Sequence, residues 1–296
     1  MRITNSMITD TILTNLNYNL KRLNKFQEQM SSGKTVSRPS DDPVYVSRIM
    51  RLQSMVQEQE RYQTTMEDAQ GFIDNSETCL GTVSDILNRA RELAIYGANG
   101  NLTAEDRLTF ASEVDELINE TLEVANSNYE GRYIFGGYQT AAPPFERAGD
   151  VVTYVGDGGL MNWEVARGVT LTVNVPGDEL FQNGVGNIFD ALIGLKQALE
   201  TNNAADLSGP VIGSLDSAVD HTLSQRAVLG ARSNRLSIAQ DRAFQNTINL
   251  TELLSRLEDV DWAEAVMNYE TAVTVYEAAL GTGAQVIQPT LLDYLR

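Results

Sequence analysis

Residues able to do chemistry are few in this sequence, and none stands in a catalytic arrangement. His221 is the only histidine, so a Ser-His-Asp or Cys-His site has one possible base, with Asp220 beside it. Such a site needs a nucleophile presented on a sharp turn near that imidazole. No nucleophile elbow is visible, and His221 reads as a satisfied or surface residue of a helical segment. The HExxH pair that seats zinc is absent, as is the full P-loop pattern. Gly156-Asp157-Gly158-Gly159 follows an extended stretch but lacks GxGxxG spacing and a helix after it, so dinucleotide binding is not expected. Asp41 and Asp42 could share a cation, yet no further acid or histidine lies at ligand spacing. With Pro43 following, Asp42 is better placed to accept backbone N–H bonds at a helix start. Asp259 and Asp261 read as solvated acids at a change of helical register, with Trp262 as a packing anchor. No enzyme activity, cofactor or metal is expected.

Composition narrows the partner. Forty acidic side chains against 22 basic ones give a formal net charge of -18. Phosphate backbones need a basic footprint, so nucleic acid is not the expected partner. The same excess keeps single molecules apart, and assembly has to be driven by apolar contact. One cysteine, Cys79, rules out a disulfide within the chain. No run is apolar enough for a membrane span or for the core of a cleavable signal; Met1 to Asn15 interleaves apolar residues with Asn and Thr. Membrane contact is therefore not expected, and any export would use an uncleaved amino terminus.

What remains is helical patterning. Leu13, Leu16, Leu20, Leu23 and, after Gln27, Met30 follow the 3-4 spacing of a coiled-coil seam. Gly33 stops that helix, and residues 37–43, with Pro39 and Pro43, make a break. Helical period resumes from Val44 to about Tyr96, and Thr103 with Asp106 opens a further helix to about Ser127. Glycine then becomes frequent. Gly136-Gly137 permits a tight turn, and Val151–Val155, Leu160–Val165 and Val169–Val175 alternate as three short strands. Helical spacing returns over Ile188–Leu199 and again after Pro210. Past Gly230 it continues through Leu250, Leu253, Leu257 and Val260, then in shifted register through Val266, Tyr269, Val273, Tyr276 and Leu280. Gly281 and Gly283 weaken this last helix and Pro289 ends it.

The predicted fold is mainly α: a long antiparallel helical bundle or coiled coil formed by both chain ends, with a small β-rich insert in the middle. Its expected parts are an N-terminal assembly helix over 1–43, a helical bundle domain from 44–140 and 187–249, the insert at 141–186, and a C-terminal assembly helix over 250–296. The two ends also differ in charge. Residues 1–38 carry six basic and two acidic groups, whereas 252–296 carry eight acids and two arginines. Opposite flanking charges help helices choose partner and orientation, although each exposed contact contributes only tenths of a kcal/mol.

Four motifs, in order along the chain, carry a family resemblance. Ser31-Ser32-Gly33-Lys34 followed by a polar stretch and Asp41-Asp42 resembles a signature of bacterial flagellins and their hook-associated relatives. Arg89-Ala90-Arg91-Glu92-Leu93-Ala94 is similar to the family's Arg-rich inner-helix stretch. Leu229-Gly230-Ala231-Arg232-Ser233-Asn234-Arg235-Leu236 resembles its LGA…NRL segment, and Glu258-Asp259-Val260-Asp261-Trp262-Ala263 its acidic stretch near the carboxyl end. Together they cover about residues 1–140 and 220–296. Pro43 after the Asp pair, Gly131-Arg132-Tyr133-Ile134-Phe135-Gly136-Gly137, and the ending Thr290-Leu291-Leu292-Asp293-Tyr294-Leu295-Arg296 resemble the members between hook and filament more than the bulk filament subunit.

The resemblance implies a structural subunit of the bacterial flagellum that polymerises through its terminal helices. Those helices would be loosely ordered until they assemble. The implied partners are further copies of the chain in a ring, the adjacent hook-associated protein, flagellin and an export chaperone. The implied location is the extracellular flagellum, reached through the flagellar type III channel without a cleaved signal. A minor filament subunit and a cytoplasmic coiled-coil scaffold are the competing readings. The residues expected to form the assembly interface are Leu13, Leu16, Leu20, Leu23, Leu253, Leu257, Val260, Trp262, Val273, Tyr276 and Leu280, all acting by packing.

Overall fold

The computed structural model of the chain describes residues 5–99, 102–182, 184 and 186–287; the expected stop at Pro289 and the ending at 290–296 lie outside them. Three helices come first: α1 (Asn5–Ser32), α2 (Pro43–Gly97) and α3 (Ala104–Ala125). Six short strands follow, β1 (Asn128–Tyr129), β2 (Arg132–Tyr133), β3 (Phe145–Ala148), β4 (Val151–Tyr154), β5 (Asn162–Ala166) and β6 (Val169–Thr172). The chain ends in α4 (Gly177–Phe181), α5 (Ile188–Glu200), α6 (Ala204–Asp206), a π-helical turn at Leu207–Val211, α7 (Ile212–Glu258) and α8 (Trp262–Ile287). These elements form two compact units. One combines the residues up to Glu58 with those from Asn246 onward; the other is Gln59–Gln245. Mainly helical, with a small strand region in the middle, the chain has the fold class its periodicity predicts.

The Gln59–Gln245 unit is built on a heptad. Along α2 the buried Met66, Ala69, Ile73, Ser76, Leu80, Val83, Leu87, Ala90 and Ala94 make an unbroken 3-4 repeat of the kind that keeps one face on a partner helix, and Phe72, Ser84, Ile86 and Leu93 are buried beside it. The partner is α7, running antiparallel: Gln70 donates to Ser233 Oγ at 3.0 Å, Arg226 pairs with Glu77 at 2.6 Å and Arg91 with Asp216 at 2.6 Å. On α7, Leu215, Ala218, Thr222, Leu229 and Leu236 are buried. The two hydroxyls in this seam satisfy themselves within their own helices, Ser76 donating to the Phe72 carbonyl and Thr222 to that of Ala218. Val114 and Ile118 of α3, with Leu192, Leu195 and Leu199 of α5, complete the helical part of the core.

Local chemistry explains where the helices start and stop. Thr103 and Asp106 form a reciprocal capping box at the start of α3, Asp replacing the usual Glu or Gln. Arg107 is buried behind it and ties off the chain reversal by donating to the carbonyls of Gly97 and Asn99 and to the Asn202 side chain. Gly230 lies within α7, where packing along the helix outweighs a local penalty of about 1 kcal/mol. One expectation fails here. Pro210 lies inside the π-helical turn instead of opening the helix; a wider turn is one way to place a residue that has no N–H to donate.

The strands pair as hairpins: β1 with β2, β3 with β4, and β5 with β6, all antiparallel. Two of the three expected strands therefore neighbour in sequence without pairing, since β4 takes β3, which periodicity did not reveal. The β3–β4 and β5–β6 reversals use Gly149 and Gly168, both at positive φ. Gly137 has φ +65°, and a Cβ there would lie 2.1 Å from Asp157, so only glycine fits this turn. The insert shares the helical core. Phe145 packs on Phe181 and Phe189 at ring-centroid distances of 5.1 and 5.6 Å. Tyr154 places its hydroxyl within hydrogen-bonding distance of the Phe135 and Asp157 carbonyls, and burial, with the charge of Asp178, pushes its phenol up to about 12. Asp115 of α3 joins Arg147 of β3 and Lys196 of α5. Hydrogen bonds from Arg147 and then Lys196 hold its carboxyl below the usual range.

Candidate assembly interface

The unit made from the chain ends has a different character. Among its described apolar residues only Ile49, Ala265 and Ala272 are buried. Its helices are held by one seam and one clasp.

The seam lies between α1 and α8. On α1 the half-buried positions Ile12, Leu16, Asn19, Leu23, Phe26 and Met30 recur at 4-3-4-3-4 spacing. Ala265, Tyr269, Ala272, Tyr276, Ala279 and Gly283 do the same on α8. The helices are antiparallel: Ile12, near the start of α1, touches Gly283 near the end of α8, where a Cβ would come within 3.1 Å of Ile12 Cγ2. Ala265, Ala272, Ala279 and Gly283 on α8 let the backbones approach, and the bulk comes from α1 together with Tyr269 and Tyr276.

The clasp joins the segment after α1 to the break between α7 and α8. Gly33, at φ +70°, turns the chain so that its carbonyl accepts from the Val260 N–H, while the Thr35 N–H donates to the Glu258 carbonyl. The Glu258 carboxylate, 10% exposed, accepts from Lys34 Nζ and from Gln53 Nε2. Tyr45 donates its hydroxyl to the Leu257 carbonyl at 2.7 Å. The opposite charges of the two ends thus meet in a single ion pair among the described residues, Lys34–Glu258, and the rest of the pairing is apolar. Asp42 Oδ1 accepts from Val44 and Tyr45 N–H, and Asp261 Oδ1 from Ala263 and Glu264 N–H. Both are helix caps. Glu258→Ala is expected to lower hydrogen-exchange protection at the Thr35 and Val260 amides by about 1.5–3 kcal/mol, the range for bonds to a charged group. The lower end is favoured because Lys34 is half exposed.

The predicted interface residues divide into two sets. Leu16, Leu23 and Tyr276 lie in the seam, and Leu257 and Val260 are half-buried beside the clasp; Val273 is half-buried next to the seam. Leu13, Leu20, Leu253, Trp262 and Leu280 are exposed. Trp262, at 56% exposure, is no packing anchor within the chain. Leu13 and Leu20 follow seam positions 12 and 19 by one residue, as Val266, Val273 and Leu280 follow 265, 272 and 279. In antiparallel helices, positions offset alike from the seam line the same flank, so these residues form one apolar stripe along the pair. Sequence counting missed Ile12, Phe26, Ala265, Ala272 and Gly283; small seam residues at 3-4 spacing opposite bulky ones were the signal available.

Other candidates resolve simply. His221 Nε2 lies 2.9 Å from the Glu179 carbonyl, a satisfied histidine. Burial pushes the Cys79 thiol up, away from the thiolate form that reacts. Among the described residues, no three His, Cys, Asp or Glu side chains converge as metal ligands would, and no helix is long and apolar enough to cross a membrane.

A helical core and a second, nearly coreless unit with an open apolar stripe are the marks of a structural subunit. The bacterial flagellin N-terminal helical region matches residues 3–140 and the flagellin C-terminal helical region residues 212–295. The chain belongs to the bacterial flagellin family. It is 26% identical to flagellar hook-associated protein 3 of Salmonella typhimurium, over 95% of this chain and 96% of that one. It is likewise 26% identical to flagellin FlaB2 of Treponema pallidum, over 91% of each. The crystal structure of flagellar hook-associated protein 3 from Legionella pneumophila superimposes with a TM-score of 0.64 at 18% identity, covering 71% of this chain and 98% of that one.

Proposed function

We propose that this chain is the subunit joining the hook-associated ring to the flagellin filament, a structural role without catalysis. The observation that carries the reading is the near-coreless terminal unit with its apolar stripe, in a chain aligned along almost its whole length with a hook-associated protein 3. On this reading copies pack side by side in a ring, with the adjacent hook-associated protein on one side and flagellin on the other. Segments 1–43 and 250–296 are the assembly segments and 44–140 with 187–249 the bundle that carries them, 141–186 being the insert. The assembly segments are loosely ordered before assembly, because a helix pair with so little buried area is marginal alone, and they order as neighbours cover them. Each Å² of apolar surface so covered contributes roughly 25 cal/mol. The chain reaches the extracellular flagellum through the flagellar type III channel without a cleaved signal, after an export chaperone has held its carboxyl helix.

Electron microscopy of a strain lacking the gene, with flagellin assayed in the medium, tests this. Hooks without filaments, and flagellin released as monomer, are expected. The equal identity to a flagellin favours a second reading, a minor filament subunit, and filaments that persist in the deletion strain would select it over the first.

A further inference from the structure

In the terminal unit α2 and α7 enclose a cavity of about 480 Å³ lined by Arg48, Arg51, Leu52, Leu253, Arg256 and Leu257. Its walls are almost wholly apolar, and three arginines, Arg48, Arg51 and Arg256, border it. Arg256 is paired with Glu252 at 2.5 Å. Arg48 and Arg51 are exposed and have no carboxylate partner among the described residues, and Leu253 is 50% exposed. An open apolar patch inside a charged rim marks a contact surface, and the cationic rim calls for an acidic occupant.

The chain carries that occupant itself. Helix α8 holds Glu264, Glu270 and Glu277 and no Lys or Arg. Val266, Glu270, Val273, Glu277 and Leu280 repeat at 4-3-4-3 spacing, so apolar and acidic side chains share one ridge on the side of α8 that α1 leaves open. In its own molecule α8 is held on α1 by the seam and the clasp, and the groove stays open.

We infer that the groove receives the α8 ridge of a second copy of the chain, its leucines meeting Val266, Val273 and Leu280, and Arg48 and Arg51 meeting Glu270 and Glu277. The inference rests on the assembly reading above and names the contact within it. Groove and ridge are different surfaces of one molecule, so the contact is heterologous and propagates from copy to copy instead of closing as an isologous dimer.

The test uses the full-length chain in isolated flagella. A variant carrying Arg51→Cys and Glu270→Cys in a Cys79→Ser background is oxidised and run on a denaturing gel. A ladder of chain multiples is expected, with none from either single-cysteine variant. A chain present in the flagella that gives no ladder, or that cross-links only to a different protein, overturns the groove contact and leaves the assembly reading standing. Absence of the unmutated chain from flagella removes the assembly reading and the contact with it. Should the cysteine variant fail to assemble, charge reversal decides. Arg51→Glu and Glu270→Arg are each expected to lose motility and their combination to regain it; no recovery overturns the proposal.

Discussion

A strain whose sole copy of this chain carries Leu16→Asp and Leu257→Asp is expected to be non-motile, while the purified protein keeps the thermal transition of residues 59–245. Leu16 lies in the seam facing α8, and Leu257 lies on the groove beside the clasp, where its carbonyl accepts from Tyr45. A carboxylate at either place loses the apolar contact, about 1.5–3 kcal/mol for a fully buried leucine and less here, and adds the cost of desolvating a charge. The unit has no reserve against this, having only Ile49, Ala265 and Ala272 as buried apolar residues among those described. Soft-agar motility and electron micrographs read the loss, and circular dichroism reads the intact remainder. Normal filaments in these mutants would sink the assignment of the terminal helices to assembly.

Phe145→Ala is expected to give the opposite pattern. Phe145 is 2% exposed and touches Tyr154, Phe181 and Phe189 at centroid distances of 5.0, 5.1 and 5.6 Å. Truncating a buried phenylalanine costs about 3–5 kcal/mol, roughly 10 °C in Tm for a unit of this size. The residue anchors β3 onto α4 and α5, so the loss falls on the Gln59–Gln245 core and leaves the seam and clasp residues untouched. Calorimetry measures it. A drop of under about 1 kcal/mol would mean that the hairpin rides on the bundle without stabilising it.

Helices, breaks and caps were legible because each has a local cause. Gly33, Asp42 before Pro43, and Thr103 with Asp106 act on backbone groups within a few residues of themselves, whereas Asp261, expected as a solvated acid, caps α8. The identity of the seam was less accessible. Leucines at 13, 16, 20 and 23 outweigh Asn19 in any count of apolar residues, yet Asn19 is on the seam and Leu13 and Leu20 are beside it. On α8 four of the six facing positions are Ala or Gly, which bury little and announce nothing; their role is to let a backbone come close, and that is visible only against the partner. Strand β3, Phe-Glu-Arg-Ala after two prolines, has one buried side chain and no alternation to read. Arg107 and the Lys34–Glu258 pair were hidden for another reason: their partners are distant in the chain, the latter by 224 residues.

That separation sets an order of events. Residues 59–245 are continuous in sequence, so their core can close as soon as they have been made. The clasp cannot form until Glu258 exists, and the seam not until α8 does. A chain emerging from its amino end therefore completes its core while α1 waits without a partner. When the last segment arrives, its ends are joined through an already folded core, which shortens the loop to be closed and lowers the entropy of closing it. The terminal unit is consequently the last part of the molecule to form.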